Sequence, residues 1–459
     1  MDSEEVIEYE SSLPIGSENK VLLSAAIRVG LYVIILVSPL VLAVVFRPKT
    51  DHSFIFEIGK NFSLLGLTIL ALQFLLGSRI KWIEKPFGLD IVINFHRFMG
   101  IFATILILTH PILLSVGEKT WSLFLSIDVP WYIWTARTVW VVLLFFTVIS
   151  VFRQAFRIDY QKWLRFHHII APVIVIAGFL HSWNAGGDLG ITAIKVLWIC
   201  LLSMLIITYL YSRCLRPWIL RKHAYKVVDV IQESRNAWTI KLSPLGNEKR
   251  INYYPGQFHY ITLQRSNGLP VEEHPFTISS SPLKPEFISS TIKESGDFTS
   301  TISHTKTGDK VFIQGPFGRF SYIFRPEERD LVFIAGGVGI TPFMSMLRHM
   351  RDARFNINVI LFYANKTRDD IVFRDELAEI EASDCPGLQV VHILSKPDAD
   401  WKGESGHLTK DKIHFYCSND LAKKSFYLCG PPMMTAQIQR ALINLGVSEK
   451  CIHFENFSL

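Results

Sequence analysis

The sequence predicts a multi-domain fold, with a six-helix transmembrane bundle followed by an antiparallel β-barrel and an α/β doubly wound domain. Three observations indicate this fold class. Residues up to about 215 are strongly apolar, residues from about 222 fall into short β-rich runs, and strand and helix patterns alternate from about 329. The chain is therefore expected to combine a membrane half with a soluble half.

Composition limits what the chain binds. Its 459 residues carry a formal net charge of +6, and no basic tail or block of like charge indicates a nucleic-acid partner. None of the six cysteines lies in a CxxC or zinc pattern, which predicts reduced thiols in a cytosol-facing domain. Residues 1–20 are acidic and lack the basic region of a signal peptide, so we expect a disordered cytosolic tail.

Six apolar stretches are long enough to span a bilayer, which takes about 20 residues. They cover residues 21–46, 54–76, 89–116, 131–152, 166–183 and 191–211. Eleven Lys and Arg residues follow or connect these stretches on one side, against three to five on the other. The more basic side is predicted to be cytosolic. We therefore expect a multi-pass protein of the plasma membrane whose termini and soluble half face the cytosol.

Four histidines in these stretches have a matched spacing. His96 and His110 are fourteen residues apart in the third stretch, as are His167 and His181 in the fifth. Fourteen residues return a helix to within about 40° of the same face, about 21 Å along its axis. Since both stretches run outward, His96 should meet His167 near the cytosolic leaflet, and His110 should meet His181 near the outer leaflet. Ionisable groups inside a membrane usually mark function, and paired imidazoles predict two b-type hemes rather than satisfied polar residues.

His168 is an alternative to His167 as a ligand. Its thirteen-residue spacing from His181 turns it about 140° from the shared face of a regular helix, although Pro172 could distort that helix. Three basic residues near span ends either pair with heme propionates or extend to the lipid headgroups. They are Arg97, Arg137 and Lys195.

The soluble half contains two successive patterns. Short strand-like runs at 225–232, 238–242, 258–263 and 311–314, divided by Gly, Pro and Asn turns, predict a barrel. Predicted strands at 331–335, 358–364, 388–394 and 425–429 then alternate with predicted helices at 342–350, 373–382 and 435–445. That alternation predicts a parallel doubly wound sheet.

Four local motifs carry the chemistry of the soluble half. His274-Pro275-Phe276-Thr277 is expected to close a strand that begins at 255–258, and the run 291–293 is followed by Gly296-Asp297-Phe298-Thr299. A glycine-rich turn at 336–342 lies between a strand and a helix, where the backbone can approach a pyrophosphate. The run 429–432, Cys-Gly-Pro-Pro, follows the last predicted strand.

With these motifs, the soluble half resembles the ferredoxin–NADP reductase superfamily. From about residue 50 onward, the whole chain resembles the NADPH oxidase and ferric reductase transmembrane family of the bacterial type. The resemblance rests on six spans, four spaced histidines and three motifs, which are HPFT at 274–277, GPFG at 315–318 and CGPP at 429–432. It implies a di-heme transmembrane domain at 21–215, an FAD-binding barrel at 222–326 and an NAD(P)H-binding domain at 327–459.

The resemblance also implies roles for individual residues. The flavin ring and its ribityl or phosphate region would be held by His274, Pro275, Phe276 and Thr277. The FAD pyrophosphate would be lined by Lys293, Gly296, Phe298 and Thr299. The nicotinamide dinucleotide would meet Gly337, Gly339, Ile340 and Thr341, with Cys429, Gly430 and Pro431 beside the nicotinamide ring. Plain ferredoxin–NADP reductases carry Arg where this chain has His274, and the His form is similar to the transmembrane members.

Two further expectations concern the nicotinamide. Lys366 and Arg368 follow a strand end without a carboxylate that would bind a ribose diol, which favours NADPH through its 2′-phosphate and leaves NADH open. Family members often end in an aromatic residue that covers the flavin until nicotinamide displaces it. Phe457 fits that role, although two residues extend past it. Cys429 and Phe457 are thus the expected catalytic residues.

The predicted function is an electron relay from NADPH through FAD and two b-type hemes to an acceptor across the membrane. We expect dioxygen as the acceptor, giving superoxide, because the predicted outer loops at 48–53, 117–130 and 182–190 have no dense carboxylate cluster for Fe(III). Three alternatives stay open. They are a ferric reductase that reduces ferric iron through the same relay, a heme-containing donor subunit for a partner protein, and a membrane channel or scaffold without catalysis. The sequence names no protein partner.

Overall fold

The computed structural model describes residues 18–48, 52–246, 248–265, 268–383 and 385–455. Phe457 and most of the predicted acidic tail lie outside the described residues, so the expectations for both stay predictions. Two compact units divide between Pro217 and Trp218. The limits predicted for the individual domains also stay predictions.

Six helices in the first unit are long and apolar enough to cross a membrane, which confirms the six predicted spans. They are α1 (Glu18–Phe46), α2 (Phe54–Gly77), α3 (Leu89–Gly117), α4 (Trp131–Val151), α5 (Tyr160–Ala185) and α6 (Thr192–Leu210). Helix α5 begins six residues before the predicted span because Asp159 caps it, accepting a hydrogen bond from the Lys162 amide at 3.0 Å. Helix α6 continues through a π-helical turn, Tyr211–Leu215, into the segment Arg216–Lys222.

Glycines let α2 and α3 pack closely. A Cβ on Gly66 would lie 2.7 Å from Ile107 Cδ1, and one on Gly59 would lie 3.0 Å from Leu113 Cβ. Outward-facing apolar side chains such as Val44 and Ile207 are 83% and 67% exposed. That exposure suits a lipid environment, where apolar surface carries no cost.

An antiparallel six-stranded sheet opens the second unit. Its strands are β1 (Tyr225–Ser234), β2 (Ala237–Pro244), β3 (Phe258–Gln264), β4 (Glu273–Thr277), β5 (Ile288–Lys293) and β6 (Lys310–Phe317), in the order β4-β3-β6-β1-β2-β5. A bridge between Ile278 and Ser290 joins the two ends of that order and closes the barrel. The expectation that residues 255–277 form one strand was wrong. The chain reverses between β3 and β4, which pair antiparallel with Tyr260 opposite Pro275.

A parallel six-stranded sheet follows. Its strands are β7 (Asp330–Gly336), β8 (Asn358–Asn365), β9 (Gly387–Leu394), β10 (Glu404–Ser405), β11 (Ser425–Cys429) and β12 (Ile452–Glu455), in the order β10-β9-β8-β7-β11-β12. The helices are α7 (Thr341–Ala353), α8 (Arg374–Glu381), α9 (Lys410–Cys417) and α10 (Pro432–Asn444). Successive residues of β7 point to opposite faces, so Phe333 packs in one core layer and Ile334 in the other. The predicted doubly wound fold is confirmed, whereas β10, β12 and α9 were missed.

Candidate redox-cofactor sites

Helices α3 and α5 bring His96 and His167 together. The centroids of the two imidazole rings are 6.2 Å apart. Imidazole nitrogens bind transition metals at about 2.0–2.1 Å, so a metal between two rings separates their centroids by about 6.2–6.4 Å. One helical turn after His96, a Cβ on Gly100 would meet no described atom within 4 Å, which leaves open space on that face. The first histidine pair therefore fits an iron held by two imidazoles inside a large planar ring.

The second pair, His110 and His181, has oriented rings. Nδ1 of His110 lies 2.8 Å from the Gly59 carbonyl oxygen, and Nδ1 of His181 lies 2.9 Å from the Tyr132 carbonyl oxygen. A carbonyl accepts only, so each Nδ1 donates its proton and leaves Nε2 as the neutral donor atom for a metal. The two rings are close enough to interact electrostatically. Backbone support of this kind is the usual second partner of metal-binding histidines.

The structure brings His167, not His168, to His96. The His168 ring lies 6.1 Å from the His167 ring and is turned 84° from it. Arg79, Arg213 and Arg216 lie within electrostatic range of His168. Pro172 therefore does not rotate His168 onto the face that His167 occupies.

Arg137, one of the three basic residues near span ends, is engaged with the backbone. Its Nε donates to the Leu123 carbonyl at 2.8 Å, and Nη2 donates to the Ser126 carbonyl at 2.7 Å. Its guanidinium also lies 4.7 Å from the Trp134 ring centroid. Arg137 thus fixes the loop between α3 and α4.

In the barrel, the HPFT motif gathers aromatic rings. The His274 ring stacks on Phe298 at 4.2 Å and 24°, and Phe276 lies 6.5 Å from Phe298. His274 Nε2 also contacts a Glu272 carboxylate oxygen at 2.9 Å. Two segments that are distant in sequence, 274–277 and 296–299, are therefore in contact, with the Phe298 ring buried in the barrel core. Pro275 pairs with β3, and Thr277 is buried.

The turn after β5 is organised by Thr299. Its Oγ1 accepts hydrogen bonds from the Ser295 and Gly296 amides, both at 2.9 Å. A Cβ on Gly296 would meet only that oxygen, at 4.0 Å, so this turn is open on its outer side. Lys293 ends β5 immediately before it. The arrangement places a cation beside an accessible backbone, as a bound phosphate requires.

The glycine turn and the Cys-Gly-Pro-Pro motif meet at the carboxyl edge of the parallel sheet. β7 and β11 are neighbours, with Ala335 opposite Cys429. A Cβ on Gly339 would overlap the Cys429 carbonyl oxygen, and one on Gly430 would lie 3.1 Å from Gly336 Cα. The strand order also reverses between β7 and β11, which is where open α/β sheets bind ligands.

The members of this edge differ in what they offer a ligand. Gly337 is half-buried with φ +55° and has no described atom near its Cβ position, so its backbone is open. Ile340 is fully buried in the core, so only its backbone can meet a nucleotide. Thr341 Oγ1 donates to the Val338 carbonyl at 3.0 Å and starts α7, whose N-terminus favours an anion. Pro431 is exposed beside them.

Cys429 carries a neutral thiol. Burial, helped by the charge of Glu455, raises the pKa of this thiol well above its ordinary value. Cys429 therefore cannot act as a thiolate nucleophile.

Lys366 and Arg368 follow β8, the strand beside β7. Lys366 is exposed, whereas the Arg368 guanidinium lies 5.8 Å from the Trp401 ring centroid and 3.8 Å from an Asp398 carboxylate oxygen. Thr367 and Asp370 form a capping box around the short helical turn Arg368–Asp370, so Asp370 caps this turn rather than facing a ribose. Lys366 is thus exposed at the edge next to the glycine turn, whereas Arg368 is already paired with Asp398 and Trp401.

A charge network in the membrane unit was not predicted from the sequence. Arg47 donates to both Asp188 carboxylate oxygens, at 2.7 and 2.6 Å, and also pairs with Glu57. Lys60 lies 3.5 Å from both acids. Arg47 and Asp188 are 141 positions apart, so no local pattern could have paired them.

Three protein-family models match this chain. They are a ferric reductase like transmembrane component at residues 62–178, an FAD-binding domain at 224–321 and an oxidoreductase NAD-binding domain at 333–440. Together they give the chain a ferric reductase like membrane component followed by an FAD-binding domain and an NAD-binding domain.

Curated relatives share the soluble part of this architecture. The chain is 29% identical over 248 residues to the glycine betaine monooxygenase reductase subunit of Pseudomonas aeruginosa, covering 53% of this chain and 66% of the relative. It is 30% identical over 240 residues to the flavohemoprotein of Oceanobacillus iheyensis, covering 51% of this chain and 58% of the relative. The chain thus spans less than two thirds of the length of these relatives.

Two solved structures are also similar. The FAD/NAD-binding domain of nitric oxide dioxygenase from Vibrio cholerae has 24% identity and a TM-score of 0.46, covering 51% of this chain and 97% of that one. Flavohemoglobin from Malassezia yamatoensis has 16% identity and a TM-score of 0.49, covering 88% and 96%.

Proposed function

We propose that this protein is a transmembrane NADPH oxidase that moves electrons from cytosolic NADPH to dioxygen on the outer side and releases superoxide. One observation carries the proposal. One histidine pair with the ring separation of a bis-imidazole metal site, His96 with His167, and a second pair with backbone-oriented rings, His110 with His181, occur in the same chain as an FAD-binding barrel and a nicotinamide-binding edge. When bound, FAD accepts a hydride and two b-type hemes pass single electrons across the membrane.

The residues of the chain have distinct tasks in this scheme. The Gly337–Gly339 backbone and the α7 N-terminus bind the pyrophosphate, while Lys366 and Arg368 bind the 2′-phosphate of NADPH. Cys429, neutral and fully buried, packs beneath the nicotinamide site and places no charge there. His274 and Phe276 hold the flavin from the barrel side.

The histidines determine how the acceptor is reduced. His96 with His167, and His110 with His181, would each hold one heme through two imidazole nitrogens, and a heme held in this way would supply single-electron transfer. Dioxygen would then take one electron, and superoxide is the product of that step.

The charge network supports dioxygen over a metal-ion acceptor. Glu57 and Asp188, which the fold brings together near the His110 end of α3, are neutralised by Arg47 and Lys60. They are therefore not offered to a cation such as Fe(III). The rival function is a ferric reductase with the same relay, which the match to the ferric reductase like component favours.

The test measures NADPH oxidation by the purified protein supplied with FAD and heme. Superoxide is detected by cytochrome c reduction, with and without superoxide dismutase. A signal that dismutase abolishes, and that His181→Ala lacks while His168→Ala retains it, supports the oxidase. Reduction that persists with dismutase and extends to soluble Fe(III) chelates would replace the oxidase by the ferric reductase.

A further inference from the structure

Two side chains of α7 reach from the nicotinamide-binding domain to the flavin-binding barrel. Ser345 Oγ donates to the Ser280 carbonyl at 2.7 Å, and Arg348 Nη1 donates to the Ser279 carbonyl at 2.6 Å. Ser345 and Arg348 are three residues apart, so they project from one face of the helix. Their acceptors follow the HPFT strand directly, and α7 itself starts at the glycine turn.

Arg348 is held rigidly on its own side. Its Nε and Nη2 donate to the two Glu376 carboxylate oxygens at 2.9 and 2.5 Å. Its guanidinium also lies 4.7 Å from the Phe373 ring centroid. Burial alone would raise the pKa of Glu376, but the hydrogen bond and charge of Arg348 outweigh it and hold that pKa below its ordinary value. A bidentate charge-assisted pair fixes the direction of the remaining Nη1 donor.

The acceptor segment is equally fixed within the barrel. Ser280 Oγ lies 2.7 Å from the Tyr253 hydroxyl and accepts from the Ser289 amide at 2.9 Å. Ser279 Oγ lies 3.0 Å from Ser289 Oγ, and Thr291 Oγ1 donates to Ser279 Oγ at 3.1 Å. These groups are buried, so breaking a contact between them and α7 leaves polar atoms without water. The contact therefore joins one rigid element to another.

We propose that Arg348 and Ser345 form an interdomain clamp that positions the nicotinamide-binding turn over the flavin motif and so sets the geometry of hydride transfer. This inference rests on the proposed function. Hydride transfer needs reacting atoms about 3–3.5 Å apart, and a displacement of about 1 Å can slow an enzyme about 100-fold. Neither residue touches the nucleotide in this scheme, so both are positioning residues.

The experiment follows flavin reduction in the full chain under anaerobic single-turnover conditions, so the outer acceptor does not enter. The variants are Arg348→Ala, Arg348→Lys and Ser345→Ala. The matched control is Arg351→Ala, because Arg351 also contacts Glu376, at 3.4 Å, and makes no hydrogen bond to the barrel among the described residues. FAD content and thermal midpoint are measured for each protein.

The clamp predicts a slower step at an unchanged affinity. Arg348→Ala should reduce flavin about 10- to 100-fold more slowly, with KM for NADPH within about threefold of wild type and a larger isotope effect from nicotinamide deuterated at the transferred position. Arg348→Lys should be intermediate, because lysine lacks the fork. Arg351→Ala should keep the wild-type rate even where its thermal midpoint falls equally.

Several outcomes overturn the clamp. Wild-type reduction rates in both Arg348→Ala and Ser345→Ala would remove it and leave the proposed function standing, as would an equal slowing in Arg351→Ala. If Arg348→Ala loses FAD, Ser345→Ala decides alone, since it removes one hydrogen bond and no charge. If NADPH does not reduce the flavin of the wild-type protein, the proposed function itself is refuted.

Discussion

The substitution Gly339→Ala tests whether the glycine turn needs glycine because a side chain would not fit there. A Cβ there would overlap the Cys429 carbonyl oxygen and lie 2.7 Å from the Cys429 carbonyl carbon and 3.0 Å from the Gly430 nitrogen. All three atoms belong to the backbone at the end of a central strand. They cannot rotate away, so the turn or β11 must move.

The expected cost follows from that geometry. Restoring an ordinary 3.4 Å contact to the Cys429 carbonyl carbon from 2.7 Å needs a shift of at least about 0.7 Å between the turn and β11, and the nearer carbonyl oxygen needs more, which strains the hydrogen-bonded ladder of β7 and β11. We expect Gly339→Ala to cost on the order of 3 kcal/mol or more. Gly337→Ala is the matched control, because Gly337 has φ +55° and open space around its Cβ position. It should cost only the left-handed backbone penalty, about 1 kcal/mol.

Calorimetry of the detergent-solubilised protein checks this difference through the transition of the soluble unit. For a unit of this size, each kcal/mol shifts the midpoint by about 2–4 °C. Gly337→Ala should therefore lower the midpoint by about 2–4 °C, and Gly339→Ala by about 6–12 °C. If Gly339→Ala lowers it no further than Gly337→Ala, the steric argument for this turn is wrong.

Three further perturbations test other parts of the molecule. His167→Ala should lose one of two hemes per chain in a pyridine hemochrome assay and His168→Ala should lose none; an equal loss would reopen the ligand assignment. Arg47→Ala leaves buried Asp188 without its main partner, so the thermal midpoint of the membrane unit should fall, at a cost of about 3–5 kcal/mol; an unchanged midpoint would show that the network is not stabilising. Burial lowers the pKa of His259 from 6.5 to about 3. Below pH 6.5 His259 therefore becomes protonated in the unfolded chain but stays neutral in the folded barrel, so the free energy of unfolding falls as the pH drops toward 3. In that window, His259→Gln should reduce the pH dependence of the free energy of unfolding, measured with denaturant, by about 1.4 kcal/mol per pH unit. An unchanged slope would contradict this prediction.

Much of the fold could be predicted because its signals are local. Hydropathy located all six spans, and the helical period placed His96 and His167 on facing sides of two helices. Strand ends likewise located the glycine turn and Cys429 on one edge, since parallel strands end together. Each of these inferences needed only a pattern within about 20 residues and a general rule of geometry.

The misses have a different physical origin. Strand β12, Ile452–Glu455, is only four residues long, alternates weakly and forms at the sheet edge through pairing with β11. The start of α5 depends on the Asp159 cap, which a hydropathy average does not register. The Arg348 clamp joins residues 69 positions apart, so the fold creates it. The roles of Phe457 and of the cofactor-binding residues stay predictions.

The contact between Gly339 and Cys429 also orders events in time. β7 ends at 336 and β11 begins at 425, so about 90 residues must follow the glycine turn out of the ribosome before that edge can form. Pairing over such a sequence distance is slow, and domains fold in order as they are synthesised. The barrel, whose last strand ends at 317, is complete much earlier. A growing chain can therefore complete its flavin-binding barrel before the edge of its nicotinamide-binding sheet exists.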